Sequence, residues 1–250
     1  MSPKAFEAPV PRATAVRRSG GSGQCSDTQE FVEWDVPNWS RALEFWRNHS
    51  VQDFSACTAL ELGARHGGLS LWLALLGARV VHSDLTLPTS RALAAHRASD
   101  AAGRIAYQLI DATHIPYRAA FDLVVFKSVL GAVGGQHGPE GQARALREIH
   151  QALKAGGELL FAENLVASPV HSFLRKRFVH WGERWRYTSV REMLAFLEPF
   201  TEVRYCTLGF AGALGRTAIQ RSVFGAMDRL VLDRLVPQRW RYIMVGVARK

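Results

Sequence analysis

Apolar and polar positions follow two rhythms along this 250-residue chain. Residues 58–62, 79–83, 105–110, 121–126 and 158–162 are short runs dominated by Val, Leu, Ile, Phe and Ala, as buried strands require. Between them, residues 69–76, 88–102 and 140–154 carry apolar side chains at helical spacing, and Gly156-Gly157 marks a stop before the fifth run. Regular strand–helix alternation with apolar strands predicts a parallel sheet covered by helices on both faces. Ahead of it, residues 37–49 read as a helix with Trp39, Leu43 and Trp46 on one face. Behind it, residues 189–197 read as a helix, 202–208 as a strand, 216–235 as a long amphipathic helix and 242–247 as a last strand. Residues 1–24, rich in Pro, Arg, Ser and Gly, predict a flexible tail.

The most informative segment is Leu60-Glu-Leu-Gly-Ala-Arg-His-Gly-Gly-Leu69. A strand entering a glycine-rich turn and then a helix leaves backbone N–H groups facing whatever binds at the strand's carboxyl end. The glycines fall as Gly63-x-x-x-Gly67-Gly68, not as the G-x-G-x-x-G of a dinucleotide fingerprint. Asp84 ends the second predicted strand, 21 residues after Gly63. A carboxylate there can accept from both hydroxyls of a ribose. Asp111 follows the third strand in Ile110-Asp-Ala-Thr-His-Ile-Pro116, a place where a nicotinamide enzyme needs no acid.

The spacing Glu61-x-Gly63-x-x-x-Gly67, followed by Asp84 and Asp111, resembles the class I S-adenosylmethionine-dependent methyltransferases. The likeness continues through Phe121-Asp-Leu-Val-Val-Phe-Lys-Ser128 and Leu153-Lys-Ala-Gly-Gly-Glu-Leu-Leu-Phe161, covering residues 55–165. It implies a Rossmann-like α/β fold: a seven-stranded, mostly parallel sheet with helices on both faces and an antiparallel last strand. It also implies S-adenosyl-L-methionine as cofactor, held by Glu61, Gly63, Ala64, Arg65, Gly67, Asp84, Leu85, Asp111, Ala112 and Lys127. Arg65 stands where that family usually has its middle glycine. On this reading residues 25–250 form one domain: a helical cap (25–54), a cofactor-binding core (55–165) and an acceptor-side lid with closing strands (166–250).

Methyl transfer from a sulfonium is an in-line displacement, so the protein supplies orientation, electrostatics and, for a hydroxyl acceptor, a base. His180, Lys127 and Glu163 are the candidate catalytic residues, Lys127 and Glu163 because they stand at strand carboxyl ends and His180 because it lies in the expected lid. His171 lies in the same lid segment, and His66 inside the glycine loop. The Asp/Asn-Pro-Pro-aromatic signature of nucleobase and amide N-methyltransferases is absent after the fourth strand, which favours O-methylation. Segment Ala162-Glu-Asn-Leu-Val-Ala-Ser-Pro169 resembles enzymes that modify bacterial cell-surface polysaccharide or lipid. No metal site is expected.

Charge sharpens the acceptor side. The net +9 is uneven: residues 1–167 carry 16 basic and 16 acidic side chains, residues 168–250 carry 15 and 6. A uniformly basic nucleic-acid binder is not the simplest reading, and no recognition module is visible. Trp181, Trp185 and Tyr187 among Arg175, Lys176, Arg177, Arg184 and Arg186 suit a small-molecule, lipid or glycan acceptor of negative charge, or peripheral contact with an anionic membrane. Cys25, Cys57 and Cys206 are odd in number and far apart, as expected for free thiols in a reducing compartment. The longest apolar stretch, residues 67–78, falls short of the roughly 20 residues that cross a bilayer. With no signal-like start, a cytoplasmic protein is expected. Two other readings stay open: a non-catalytic cofactor-binding or membrane-associated interaction protein, and, more distantly, an NAD(P)-dependent oxidoreductase.

Overall fold

The computed structural model describes residues 4–7, 31–178 and 185–250. Most of the expected tail, Cys25, His180, Trp181 and Arg184 lie outside the described residues. In chain order the elements are β1 (Lys4–Glu7), α1 (Val36–His49), β2 (Thr58–Leu62), α2 (Gly68–Leu75), β3 (Arg79–Asp84), α3 (Ser90–Arg97) and β4 (Ile105–Leu109). Then come β5 (Phe121–Lys127), α4 (Leu130–Ala152), β6 (Leu153–Asn164), α5 (Pro169–Phe178), α6 (Val190–Phe196), β7 (Glu202–Leu208), α7 (Ala218–Met227) and β8 (Ile243–Arg249).

Strands β2–β8 form the expected seven-stranded body, ordered β4-β3-β2-β5-β6-β8-β7. All neighbours are parallel except β8, which runs antiparallel to both β6 and β7. Outside this body β1 pairs in parallel with β7, so residues 4–7 are a strand and not part of a flexible tail. Pairing there caps an otherwise open sheet edge.

Burial explains the strands. Every residue of β5 except Asp122 and Lys127 is buried, as a strand covered on both faces must be. One apolar cluster, with Trp39, Trp46 and Trp72, fills the α1–α2 face. A second, with Phe126, Ile149, Phe161 and Met193, fills the α4–α6 face. The Trp46 indole donates to the Gly246 carbonyl at 3.1 Å and fixes α1 against β8. Cys57 and Cys206 are buried, and neither is in a disulfide among the described residues. Among the described residues no helix is long and apolar enough to cross a membrane.

Three elements depart from the sequence pattern. The helix expected over 88–102 is only Ser90–Arg97, because the Ser99 hydroxyl bonds back to the His96 carbonyl and draws the chain into a turn. The helix expected over 140–154 starts ten residues earlier, bends at Gly138-Pro139, and yields to β6 at Leu153, which pairs with Phe121. The helix expected over 216–235 is interrupted by a π turn, Asp228–Leu232.

This topology matters for function because the strand order reverses between β2 and β5. Connections leave those strands in opposite directions and open a crevice at their carboxyl ends.

Candidate functional site

The glycine loop leaves β2 at that crevice. Gly63 (φ 61°) and Gly67 (φ 73°) are left-handed, and so is Arg65 (φ 47°) between them. Arg65 therefore follows the backbone path that a glycine would take, at a cost of about 1 kcal/mol for its side chain. A Cβ at position 63 would stand 2.6 Å from Val129 Cγ2, so only glycine fits between the loop and the end of β5.

Asp84 is tied to the loop. Its Oδ2 accepts from the Arg65 N–H at 2.9 Å and its Oδ1 from the Leu85 N–H at 2.7 Å. An ionised carboxylate has about four lone-pair sites, so each oxygen of this half-buried group keeps one for a further donor. Two vicinal hydroxyls match that pair. Leu85, beside it, is 58% exposed, an apolar surface that a flat ring would cover. Asp111 commits Oδ1 to the Thr113 N–H (2.7 Å) and hydroxyl (2.8 Å), forming an Asx turn. Burial alone would raise its pKa, but those two bonds hold it below the usual carboxylate range. Oδ2 has only His114 Nδ1 nearby, at 3.9 Å, and so keeps acceptor capacity for an amino group. Ala112 is buried next to it.

Glu61 is placed differently from these acids. It is buried, and Oε2 accepts from the Ser70 N–H at 2.7 Å and from the Ser70 hydroxyl. Burial pushes its pKa up to about 8 against those bonds. Glu61 thus holds the first turn of α2 in line with the loop and is a positioning residue. Glu163 does the same for α4: it is fully buried, with Oε2 accepting from Val129 (2.9 Å) and Leu130 (2.8 Å) and Oε1 from Asn164 (2.9 Å). Burial raises it to about 7. With its oxygens committed to backbone N–H groups, Glu163 is placed as a helix anchor and not as a free base.

Lys127 ends β5 over the same crevice. Its Nζ lies 5.1 Å from the centre of the Trp39 ring on α1. Burial pushes the ammonium below the usual lysine range, while Glu33, Glu61 and Glu163 pull the other way. Ser128 follows in left-handed conformation (φ 56°), its hydroxyl accepting from Asn164 Nδ2 at 2.7 Å. Glu33 and Asp35, which lead into α1, are left-handed as well (φ 66° and 44°). Of the six left-handed non-glycine residues among the described ones, Arg65 and Ser128 stand at the carboxyl ends of β2 and β5, where the crevice opens.

His171 and His66 are both held by neighbouring groups. His171 is buried, with Nδ1 2.7 Å from the Ser168 hydroxyl and Nε2 donating to the Phe210 carbonyl at 2.8 Å. Burial lowers its pKa. His66 bonds Thr89 at 3.1 Å. His180 lies outside the described residues.

A second polar group at the same sheet edge escaped the sequence reading. Asn38 Nδ2 donates to Asp228 Oδ2 (3.0 Å) and Tyr242 Oη (2.9 Å), while the Tyr242 hydroxyl donates to Asp35. Arg41 pairs with Asp233 at 2.5 Å, and both are buried. This network joins α1 to the segment after α7 and to the start of β8, and so secures the cover over the crevice.

Comparison with known proteins agrees with this geometry. Residues 60–161 match the family model described as "Methyltransferase domain". No curated protein sequence matches the chain. Among solved structures, Haemonchus contortus phosphoethanolamine N-methyltransferase 2, in complex with S-adenosyl-L-methionine, is 16% identical with a TM-score of 0.59. That alignment covers 92% of this chain and 58% of the Haemonchus chain. An S-adenosylmethionine-dependent methyltransferase from Mesorhizobium loti is 20% identical with a TM-score of 0.55, over 80% of this chain and 94% of that one. One from Methanosarcina mazei is 18% identical with a TM-score of 0.54, over 82% and 95%. Residues 60–161 thus resemble a methyltransferase domain, and the chain has the fold of these S-adenosylmethionine-dependent methyltransferases.

Proposed function

We propose that the protein transfers a methyl group from S-adenosyl-L-methionine to an oxygen of a small-molecule, lipid or glycan acceptor. The observation that carries this reading is the alignment of three ligand-ready groups on adjacent strand ends: the left-handed loop after β2, Asp84 after β3 and Asp111 after β4. Asp84 would hold the ribose hydroxyls, Leu85 would lie against the adenine, and Asp111 would take its amino group. The bound cofactor supplies an electrophilic methyl for in-line displacement.

The chain's own residues do the rest. Lys127, with its ammonium destabilised by burial, is placed to hold an acceptor oxygen or to take its proton. The Trp39 face keeps water from the amine. His180 is the other candidate base, on its place in the sequence. Cell-surface polysaccharide or lipid modification in the cytoplasm is the setting that the sequence likeness favours.

The test is product analysis with methyl-labelled cofactor and fractionated lipid and glycan extracts. A methyl ether or ester on the acceptor supports the reading, and label recovered only on nitrogen overturns it. Lys127→Met should lower transfer about a hundredfold or more, within the range for loss of a general acid–base group, while cofactor affinity changes little.

A further inference from the structure

Helix α7 is inside out. A surface helix ordinarily turns its apolar stripe to the core. Here the face toward the protein is formed by Gly225, where a Cβ would come 2.4 Å from the Pro37 side chain, and by Asp228, which accepts from Ala211, Gly212 and Asn38. Phe224 and Leu232 are half-buried, but most of the large apolar side chains are in solvent. Ile219, Val223, Met227, Val231 and Leu235 recur at every fourth position and are 78, 54, 46, 49 and 75% exposed. Leu230 widens the stripe at 65%. A strict four-residue repeat drifts around an α-helix of about 3.6 residues per turn. The π turn Asp228–Leu232, with its wider i→i+5 bonds, takes back that drift and keeps the stripe on one side.

Arginines dominate the rim of this stripe, and one of them, Arg229, lies 3.9 Å from Glu44 of α1. Between positions 216 and 240 the acids are Asp228 and Asp233, both buried, whereas Arg216, Arg234 and Arg239 are exposed and Arg221 and Arg229 partly so. Helix α5 also exposes apolar side chains, Val170 and Phe173, and its His171 is held by Phe210 and stacked on Tyr242. Both helices therefore rest on the loop that follows β7, at the carboxyl edge that carries the crevice.

We propose that α7, with α5 beside it, seats the protein on an anionic bilayer surface. An apolar stripe rimmed by arginines fits the boundary between headgroups and acyl chains, and the sign of the rim selects anionic headgroups. A second copy of this chain would bring the same arginines face to face. Residues 8–30, with Arg12, Arg17 and Arg18 against Asp27 and Glu30, bring no net negative charge to a cationic rim. The inference stands apart from the methyl-transfer reading, but it puts a lipid-borne acceptor within reach of the crevice.

The test is co-sedimentation of the full chain with vesicles of phosphatidylcholine alone, and of phosphatidylcholine with phosphatidylglycerol, at low and high salt. Pelleting is expected only with phosphatidylglycerol at low salt. Arg234→Gln and Arg239→Gln should each weaken it about fivefold. Ile219→Ser, Val223→Ser and Leu235→Ser together should weaken it about tenfold or more. These three side chains are exposed, so thermal melting and cofactor calorimetry of the triple variant should match wild type. Wild type remaining in the supernatant overturns the proposal. So does a triple variant that pellets as well as wild type, since charge alone would then be acting, as toward any polyanion. A dimer that the triple variant dissolves also overturns it, by making a second copy the occupant. Vesicle binding without cofactor binding would overturn the methyl-transfer reading alone.

Discussion

At the β3–β4 end of the sheet's carboxyl edge, Asp84 and Asp111 are partly exposed and keep lone pairs open. At the β8–β7 end, Asp35, Asp228 and Asp233 are buried and held by Asn38, Tyr242, Arg41 and backbone N–H groups. The same residue type does opposite work at the two ends. Open acceptors take donors from water or from a ligand, whereas buried acceptors find theirs within the protein and so tie elements together. On the proposed function one end receives the cofactor, while the other joins α1 to the segment after α7 and to the start of β8.

The largest expected effect comes from closing the receiving end. Gly63→Val puts branched bulk into a left-handed position already in contact with Val129, and cofactor affinity measured by calorimetry should fall by about a hundredfold or more. Retained affinity would mean that the loop is not the cradle.

The holding end should reveal itself through pH. Burial raises Asp35 from 3.8 to about 6, with Asp228 adding and Tyr242, Asn38 and Arg221 opposing. The folded protein then keeps a proton that the unfolded chain releases between those values. Asp35's contribution to stability is therefore full below about pH 4 and declines by about 3 kcal/mol as pH climbs to 6. Asp35→Asn should remove that slope from the difference between the two proteins' melting curves. Parallel curves would contradict the assignment.

Asn38→Ala, which removes the donor shared by Asp228 and Tyr242, should cost about 2 kcal/mol in denaturant unfolding while leaving cofactor affinity near wild type. A loss of affinity without a loss of stability would erase the division between the two ends. The smallest effect is expected at Arg65→Gly. Glycine relieves the strain at φ 47° but enlarges the unfolded ensemble, so stability should rise by about 1 kcal/mol or less, with affinity retained.

The receiving end was legible in the sequence because its signals are local. Strands over 58–62 and 202–208 lie where their apolar runs place them. Loop, Asp84 and Asp111 each follow a strand directly, so finding the strands found the groups. Glu61 and Glu163 were visible as acids, but their burial against Ser70 and the start of α4 was not. The holding end had no local signal. Asn38 meets partners 190 and 204 positions away, and nothing around it in sequence points to Asp228 or Tyr242. The amphipathic pattern of 216–235 shows that one face is apolar, but not that the fold leaves that face outward. That outcome depends on Gly225 and Asp228 being the residues that α1 and the loop after β7 can accept.

The most direct measurement is calorimetric titration of S-adenosyl-L-methionine and its demethylated product into wild type and Asp84→Ala, with thermal melting of both proteins. Loss of an ionised acceptor for two hydroxyls should weaken binding about a hundredfold or more while leaving the melting temperature within a few degrees of wild type. Asp84→Ala binding either ligand as tightly as wild type, or wild type binding neither, would contradict the account.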